Sequence, residues 1–178
     1  MSLLSIYSED AEPIGECVED PKLISSILAK HNILFEQYPI IHEFVESALT
    51  DYSNVINAKI QLFDFKAVDV ASIKPYHFEF KQSLRDKFFQ EHTHDDFEIR
   101  FFIEGEGLFY IHIDNKVFMI LCKAGDLISV PAFTKHWFDM GAQPDFTCIR
   151  FFSHERGWIA TNTGSNISQN FYKLSKFL

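Results

Sequence analysis

The chain has 178 residues, of which 47% are hydrophobic and 16% aromatic, with 20 phenylalanines. That length favours one domain able to bury a core without disulfide staples, and that composition excludes a disordered chain. A formal net charge of −9 and the lack of any Lys/Arg run argue against a surface built to grip nucleic-acid phosphates. The phenylalanine excess calls for wide apolar space, as inside a β-barrel or sandwich. Cys17, Cys122 and Cys148 are odd in number and widely spaced, which reads as three reduced thiols. The start, Met1 to Asp10, lacks a basic and then apolar leader, and no run approaches the ~18 apolar residues of a membrane span. A soluble cytoplasmic protein is expected.

In chain order, Asp20-Pro21 opens a predicted helix, with Asp as cap and Pro in the first turn. Leu23, Ile24, Ile27 and Leu28 form its apolar face, and Lys30-His31-Asn32 ends it. A second helical stretch is expected from Ile40 or His42 toward Val55, with Phe44, Val45, Ala48 and Leu49 as its apolar face. Residues 60–71 are ambiguous between strand and loop. Ser83 is read as the cap of a short helix from Leu84 to Gln90. Beyond it, Phe97 to Ile103, Gly107 to Ile113, Lys116 to Leu121, Leu127 to Val130 and Phe146 to Phe152 read as strands. Asp114-Asn115 forms a tight hairpin turn between the second and third of these. Residues 161–169 are polar and read as surface loop before a short tail. Helices first and clustered strands after imply an α+β, mainly β fold, with no internal repeat and no linker.

Two short clusters carry metal-ligand side chains. The first, residues 91–100, contains His92, His94 and Glu98; the second, residues 125–136, ends on His136. On a strand, His92 and His94 face one side about 7 Å apart. A straight strand would carry Glu98 about 13 Å beyond His94, so the chain is expected to bend at Asp95-Asp96 and bring the carboxylate back. Pro131 cannot donate to a ladder and should end a strand, leaving His136 to begin the next one. A divalent metal held by three neutral imidazoles and one carboxylate stays net positive, with positions left for an anionic oxygen ligand. Closed structural zinc sites prefer four-coordinate Cys/His sets and suit this ligand set less well. The His-x-His pair alone is a weak signal, since surface histidine pairs on strands are common; Glu98 and the Pro131 to His136 segment strengthen the metal reading.

The two clusters resemble the paired motifs of the cupin superfamily. His92, His94, Glu98 and Gly105 match the first motif in spacing, and Gly125, Pro131 and His136 match the second. Phe133 stands where the second motif has a glycine, Met140 where it has an asparagine, and Asp86 where the first motif has its leading glycine. Within that superfamily the chain is similar to the acireductone dioxygenase family. The likeness runs through Phe88 to His94, Glu98 to Phe102, Gly105 to Phe109, Asp126 to Ala132, Lys135 to Asp139, Arg150 to Phe152 and Gly157 to Ala160.

The resemblance implies a single cupin domain over residues 1–178, a jelly-roll β-barrel with N-terminal helices packed outside. Residues 1–75 would form a helical N-terminal part, 76–160 the metal-binding barrel and 161–178 the tail. It implies one Fe(II) or Ni(II) per chain, held by His92, His94, Glu98 and His136. The activity implied is O2-dependent cleavage of the acireductone 1,2-dihydroxy-3-keto-5-methylthiopentene in methionine salvage. Iron would yield formate and 2-keto-4-methylthiobutanoate; nickel would yield formate, carbon monoxide and 3-methylthiopropanoate. The alternatives are another metal-dependent cupin enzyme (a different dioxygenase, a decarboxylase or an isomerase) or a non-enzymatic binding module. Partners would be the acireductone and O2, with no nucleic acid and no membrane, and the chain would be a monomer.

Strand parity aims Arg100 at the same cavity as Glu98, where it would neutralise a bound enediolate. Phe138, two beyond His136, should also face inward; it and Phe88 are candidates to wall an apolar tail, with plain core packing as the competing reading for each. Arg150 reads as a second charged substrate contact or as a structural ion pair, and Trp158, beside Gly157, as part of a lid or as a structural anchor. Phe102 is read as core and His112 as structural.

Overall fold

The computed structural model describes residues 1–75, 81–154, 158–171 and 173–174. Ten strands lie within them: β1 Leu3–Ser8, β2 Phe35–Gln37, β3 Ala67–Ile73, β4 His92–Thr93, β5 Glu98–Ile113, β6 Lys116–Lys123, β7 Asp126–Val130, β8 Lys135–Asp139, β9 Phe146–Phe152 and β10 Thr161–Asn162. Four helices accompany them: α1 Pro21–Ala29, α2 Ala48–Asp51, α3 Ser53–Phe63 and α4 Lys81–Phe89.

All strand pairs are antiparallel, and they form two sheets that share β5. One sheet runs β1-β6-β5-β8-β4-β10; the other runs β3-β9-β5-β7-β2. Residues 98–105 of β5 pair in the second sheet and residues 106–113 in the first. The ladder shifts between Phe102 and Glu104, and a bulge there lets the strand pass from one sheet to the other. Gly105 makes the passage possible: its φ is +67°, and a Cβ would stand 1.8 Å from the Asp145 carbonyl oxygen. The result is a jelly-roll sandwich, and the sheets do not close into a barrel.

The central strands of each sheet are buried on both faces. Between them lie Phe102, Phe109, Phe118, Phe138, Phe146, Ile120 and Ile128, joined by Ile24 and Leu28 of α1. The outer face of the second sheet, with Ile99, Phe101, Leu127, Ile149 and Phe151, is covered by Ala48, Tyr52 and Ile56 of the α2–α3 region. The outer face of the first, with Leu108, Tyr110, Met119 and Trp137, is covered by Phe89, Phe171 and Leu174. Three apolar layers account for the demand for phenylalanine, since each aromatic side chain fills a large buried volume.

Several expectations hold. Asp20 caps α1, accepting from Lys22 N at 2.8 Å and Leu23 N at 3.0 Å. Asp114 and Asn115 have φ of 53° and 58°, as a two-residue hairpin turn of primed type requires. All three cysteines are free, with Cys122 and Cys148 buried.

Others are corrected. Leu23 is 50% exposed, so α1 buries only Ile24 and Leu28 fully. The second helical stretch is shifted: a 3-10 turn at Val45–Ser47 precedes α2 and α3, and helix continues to Phe63 before β3 begins. Of its predicted face only Ala48 is buried, and Phe44 is 61% exposed. Ser83 lies inside α4 and is not its cap. The two strands predicted at 97–103 and 107–113 are one strand, β5, interrupted by the bulge. Residues 1–75 hold strands β1, β2 and β3 as well as helices, and 161–169 contain β10 and part of a 3-10 turn at Ile167–Asn170. His77 and Gly157 lie outside the described residues.

Asp139, at the end of β8, is fully buried and collects four donors. Arg85 Nε and Nη2 of α4 lie at 2.8 and 3.0 Å, Gly141 N at 3.0 Å and Leu174 N at 2.9 Å. Burial opposes the charge, but the Arg85 bond and the two backbone donors outweigh it and hold the carboxyl below its usual range. Asp139→Ala is expected to cost about 3 kcal/mol in urea unfolding, because it leaves a half-buried guanidinium and two backbone N–H groups without their acceptor. A depressed folded pKa means that this contribution is present at neutral pH and is lost as pH falls through the folded value. The stability gap between wild type and variant should therefore narrow in acid.

Candidate metal centre

Two turns and two sheets bring four donors together. β4 presents His92, which pairs across with His136 of β8 in the first sheet. The chain then bends at Asp95 and Asp96, as expected, and Glu98 enters as the first residue of β5 in the second sheet. Asp96 fixes the bend by accepting from Ser153 N at 2.8 Å and Ser153 Oγ at 2.6 Å. Pro131 follows the last residue of β7, and His136 lies on the next strand.

Phe133, in the turn between β7 and β8, is left-handed at φ 61° with its ring 72% exposed. The turn is thus kept despite the missing glycine, at a strain of roughly 1–3 kcal/mol. Its N–H donates to the His94 carbonyl at 2.7 Å, which ties this turn to the second histidine.

His92, His94, Glu98 and His136 are all buried, and their donor atoms lie within 4.8 Å of one another. Glu98 Oε2 is 3.0 Å from His94 Nε2 and 3.4 Å from His136 Nε2. Two ring tautomers are set by backbone carbonyls: His92 Nδ1 donates to Gln90 O at 2.6 Å and His136 Nδ1 to Thr134 O at 2.8 Å. Each bond leaves Nε2 as the lone-pair donor, as a metal ligand needs. Glu98 Oε1 and His94 Nδ1 are buried without a hydrogen-bond partner. Donors about 2.1 Å from one centre are at most about 4.2 Å apart, so a set gathered within 4.8 Å needs a small contraction to hold a single divalent ion.

The charge balance agrees. Burial would raise the Glu98 carboxyl, but the Arg100 charge and hydrogen bonds from His136 and His94 hold it well below the ordinary range. Burial, reinforced by the nearby His136, pushes the His92 imidazole down to about 4 and so keeps it neutral. His94 is shifted upward: burial lowers it, but its bond to Glu98 prevails. Burial raises the thiols of Cys122 and Cys148, the latter to about 11, so neither offers a thiolate.

The centre opens on a cavity of about 360 Å³ lined by His92, His94, Glu98, Arg100, Phe88, Phe152 and Trp158, together with Asp69, Lys87, Arg150 and Ala160. A wider trough of about 710 Å³ beside α1, between Asp20 and Tyr38, contains no histidine. Arg100 Nε stands 2.7 Å from Glu98 Oε1 as an ion pair, though not aligned as a hydrogen bond. Its guanidinium is packed among aromatic rings, with centroids of Phe138 at 4.5 Å, Phe109 and Trp158 at 5.5 Å and Phe88 at 5.7 Å.

Four of the five residues predicted around the metal therefore reach the cavity: Arg100, Phe88, Arg150 and Trp158. Phe138 does not. It is 1% exposed and sits behind Arg100, packed on Phe109 at 4.8 Å and Phe146 at 5.7 Å. Arg100 comes between that ring and the cavity, so Phe138 backs the guanidinium and forms no wall. Trp158 is tethered by Nε1 to the Phe97 carbonyl at 3.0 Å and packs on Phe152 at 4.7 Å. Arg150 lines the cavity while bound bidentately to Asp69 at 2.9 and 2.6 Å. Asp69 had no signal in the sequence, because β3 was not recognisable as the strand that faces Arg150 in register.

Residues 4–160 match the ARD/ARD' family. The chain is 46% identical to acireductone dioxygenase of Aquifex aeolicus over 97% of its own length and 96% of that protein. It is 42% identical to acireductone dioxygenase of Methylococcus capsulatus over 100% of its length and 98% of that chain. Among solved structures it resembles acireductone dioxygenase from Bacillus anthracis with a cadmium ion in the active centre. The TM-score is 0.79 at 26% identity, covering 90% of this chain and 98% of that one.

If the four donors act as one set, His136→Ala should weaken Ni(II) binding more than the 10–100-fold typical of losing an outer partner. Competition against a chromophoric chelator checks this; a wild-type affinity would remove His136 from the ligand set.

Proposed function

The chain belongs to the ARD/ARD' family, and from that premise we propose that it is an acireductone dioxygenase of methionine salvage. The observation that carries the reading is the buried cluster of three imidazoles and one carboxylate at the base of an aromatic-lined cavity. His92, His94, Glu98 and His136 would hold one Fe(II) or Ni(II). When bound, the ion supplies Lewis acidity and open coordination positions.

The remaining work falls to the protein. With a divalent ion held, three neutral imidazoles and one carboxylate would leave the centre net positive, which favours the enediolate form of 1,2-dihydroxy-3-keto-5-methylthiopentene. Arg100 adds a second positive charge beside Glu98, fixed by aromatic packing so that little reorganises when substrate enters. Phe88, Phe152 and Trp158 give the apolar methylthio tail a dry wall and limit water near the reacting carbons. Arg150, already engaged by Asp69, contributes a weaker field. Products would be formate with 2-keto-4-methylthiobutanoate on iron, and formate, carbon monoxide and 3-methylthiopropanoate on nickel. We place the enzyme in the cytoplasm as a monomeric single cupin domain. The free cysteines support that compartment, and among the described residues no helix is long and apolar enough to cross a membrane.

The test is anaerobic reconstitution of metal-free protein with Fe(II) or Ni(II), then freshly generated acireductone and O2, with formate, keto acid and carbon monoxide assayed. Turnover that requires metal and splits into the two product sets by metal is expected; stoichiometric metal uptake with no acireductone consumption would move the reading to another cupin substrate. Arg100→Ala should keep one metal per chain and lose roughly 10-fold or more in kcat/KM, since a charged hydrogen-bonding contact is worth about 1.5–3 kcal/mol. Unchanged kinetics would remove its role.

A further inference from the structure

Asp69, Glu98, Lys87, Arg100 and Arg150 carry charge into the cavity over the metal centre. Four of these side chains are paired. Arg100 stands 2.7 Å from Glu98, and Arg150 is held bidentately by Asp69 at 2.9 and 2.6 Å. Arg150 also lies over the rings of Phe152 and Trp158, at 5.3 and 5.9 Å, which fixes its charge further. Lys87 is the exception. It lies in the last turn of α4 and is exposed, so its ammonium stands where the cavity meets solvent. Among the described residues its ammonium has no carboxylate partner. The charges of the protein lining thus balance pair by pair except for one positive charge, and Lys87 supplies it.

On the acireductone reading above, on which this role rests, the surplus charge has a counterpart in the substrate. The C1 hydroxyl of 1,2-dihydroxy-3-keto-5-methylthiopentene is conjugated through the C1–C2 double bond to the C3 carbonyl. It is a vinylogous carboxylic acid, so the molecule reaches the protein as an anion at neutral pH. A chain with a net charge of −9 repels an anion from a distance. An exposed cation without a partner reverses the sign of the field at the cavity entrance. Lysine suits that task, because a compact charge on a flexible stem follows a ligand inward. Arg100, packed among aromatic rings, has no such reach. Lys87 also complements the C-terminal dipole of α4, a contribution to stability that can be measured separately.

We propose that Lys87 is a substrate-capture residue: its ammonium draws the anionic acireductone into the cavity and favours anionic over neutral ligands on their way to the centre. The role is one of binding rate and selectivity and leaves the metal ligands untouched.

The test is anaerobic stopped-flow mixing of the Co(II)-loaded protein with acireductone, with azide as a small anion and with imidazole as a neutral ligand, followed in the visible spectrum at about pH 8, where imidazole is largely uncharged. Without O2 the acireductone binds and is not cleaved. At low ionic strength Lys87→Gln should slow the association of acireductone and azide about 3-fold, the effect of one unit charge about 6 Å away in water. Lys87→Glu, which reverses the charge, should slow both about 10-fold, and Lys87→Arg should keep the wild-type rates. The differences should vanish near 1 M salt, where the screening length is about 3 Å. Imidazole should bind all variants at one rate. Lys22→Gln is the control: it changes the net charge equally but lies in the separate trough beside α1, and it should keep wild-type rates. Urea unfolding of the metal-free variants records the helix-end contribution on its own scale. Equal anion rates in wild type, Lys87→Gln and Lys87→Glu at low salt would overturn the capture role alone, as would a loss that extends equally to imidazole or persists at 1 M salt. A loaded wild-type protein that binds azide but no acireductone would overturn the acireductone reading and the capture role together.

Discussion

The carboxylate of Glu98 is 2% exposed, and the arrangement around it follows from that fact. A charge removed from water is costly unless it is paired and hydrogen-bonded. Arg100 and the imidazoles of His94 and His136 meet that demand on the protein's side. A divalent ion would meet it more completely, because it also engages His92. The centre is therefore best understood as a buried anion whose surroundings were assembled for a cation.

Such a cluster must be dry to matter electrically, and the sandwich makes it so. Glu98 and Arg100 come from one sheet and His92 and His136 from the other, while apolar layers cover both outer faces. β5 links the two halves, and its bulge at Phe102–Glu104 is where the strand changes sheets. The same bulge resets side-chain parity. Phe102 and Phe109, an odd number of positions apart, can then both face the space between the sheets. Arg100 rests against that aromatic layer, which keeps a positive charge at the cavity floor without a flexible surface side chain.

The clustering of the candidate metal-binding side chains was legible in the sequence because it depends on local rules. Strand parity, a turn at two acidic residues and a proline at a strand end place His92, His94, Glu98 and His136. The cap at Asp20 and the turn at Asp114-Asn115 are equally local. What was not legible depends on tertiary partners. Residues 40–63 lack a clean helical face because much of that segment rides on the sheet with a few side chains such as Tyr52 and Ile56. β5 read as two strands because glycines and a parity change interrupt it, although Gly105 is what permits its continuity. Phe138 has the inward parity expected of a cavity residue, but parity cannot reveal that Arg100 would lie in front of it. Asp69 had no visible role, since its partner is 81 residues away.

The central claim, that four buried side chains from two sheets hold one metal, is tested most directly by a crystal of the nickel-loaded protein measured at the nickel absorption edge. The account predicts one anomalous peak per chain, about 2.1 Å from a ring nitrogen of His92, His94 and His136 and from a Glu98 carboxylate oxygen. A peak elsewhere, or one lacking Glu98 or any of the three imidazoles among its ligands, would contradict it.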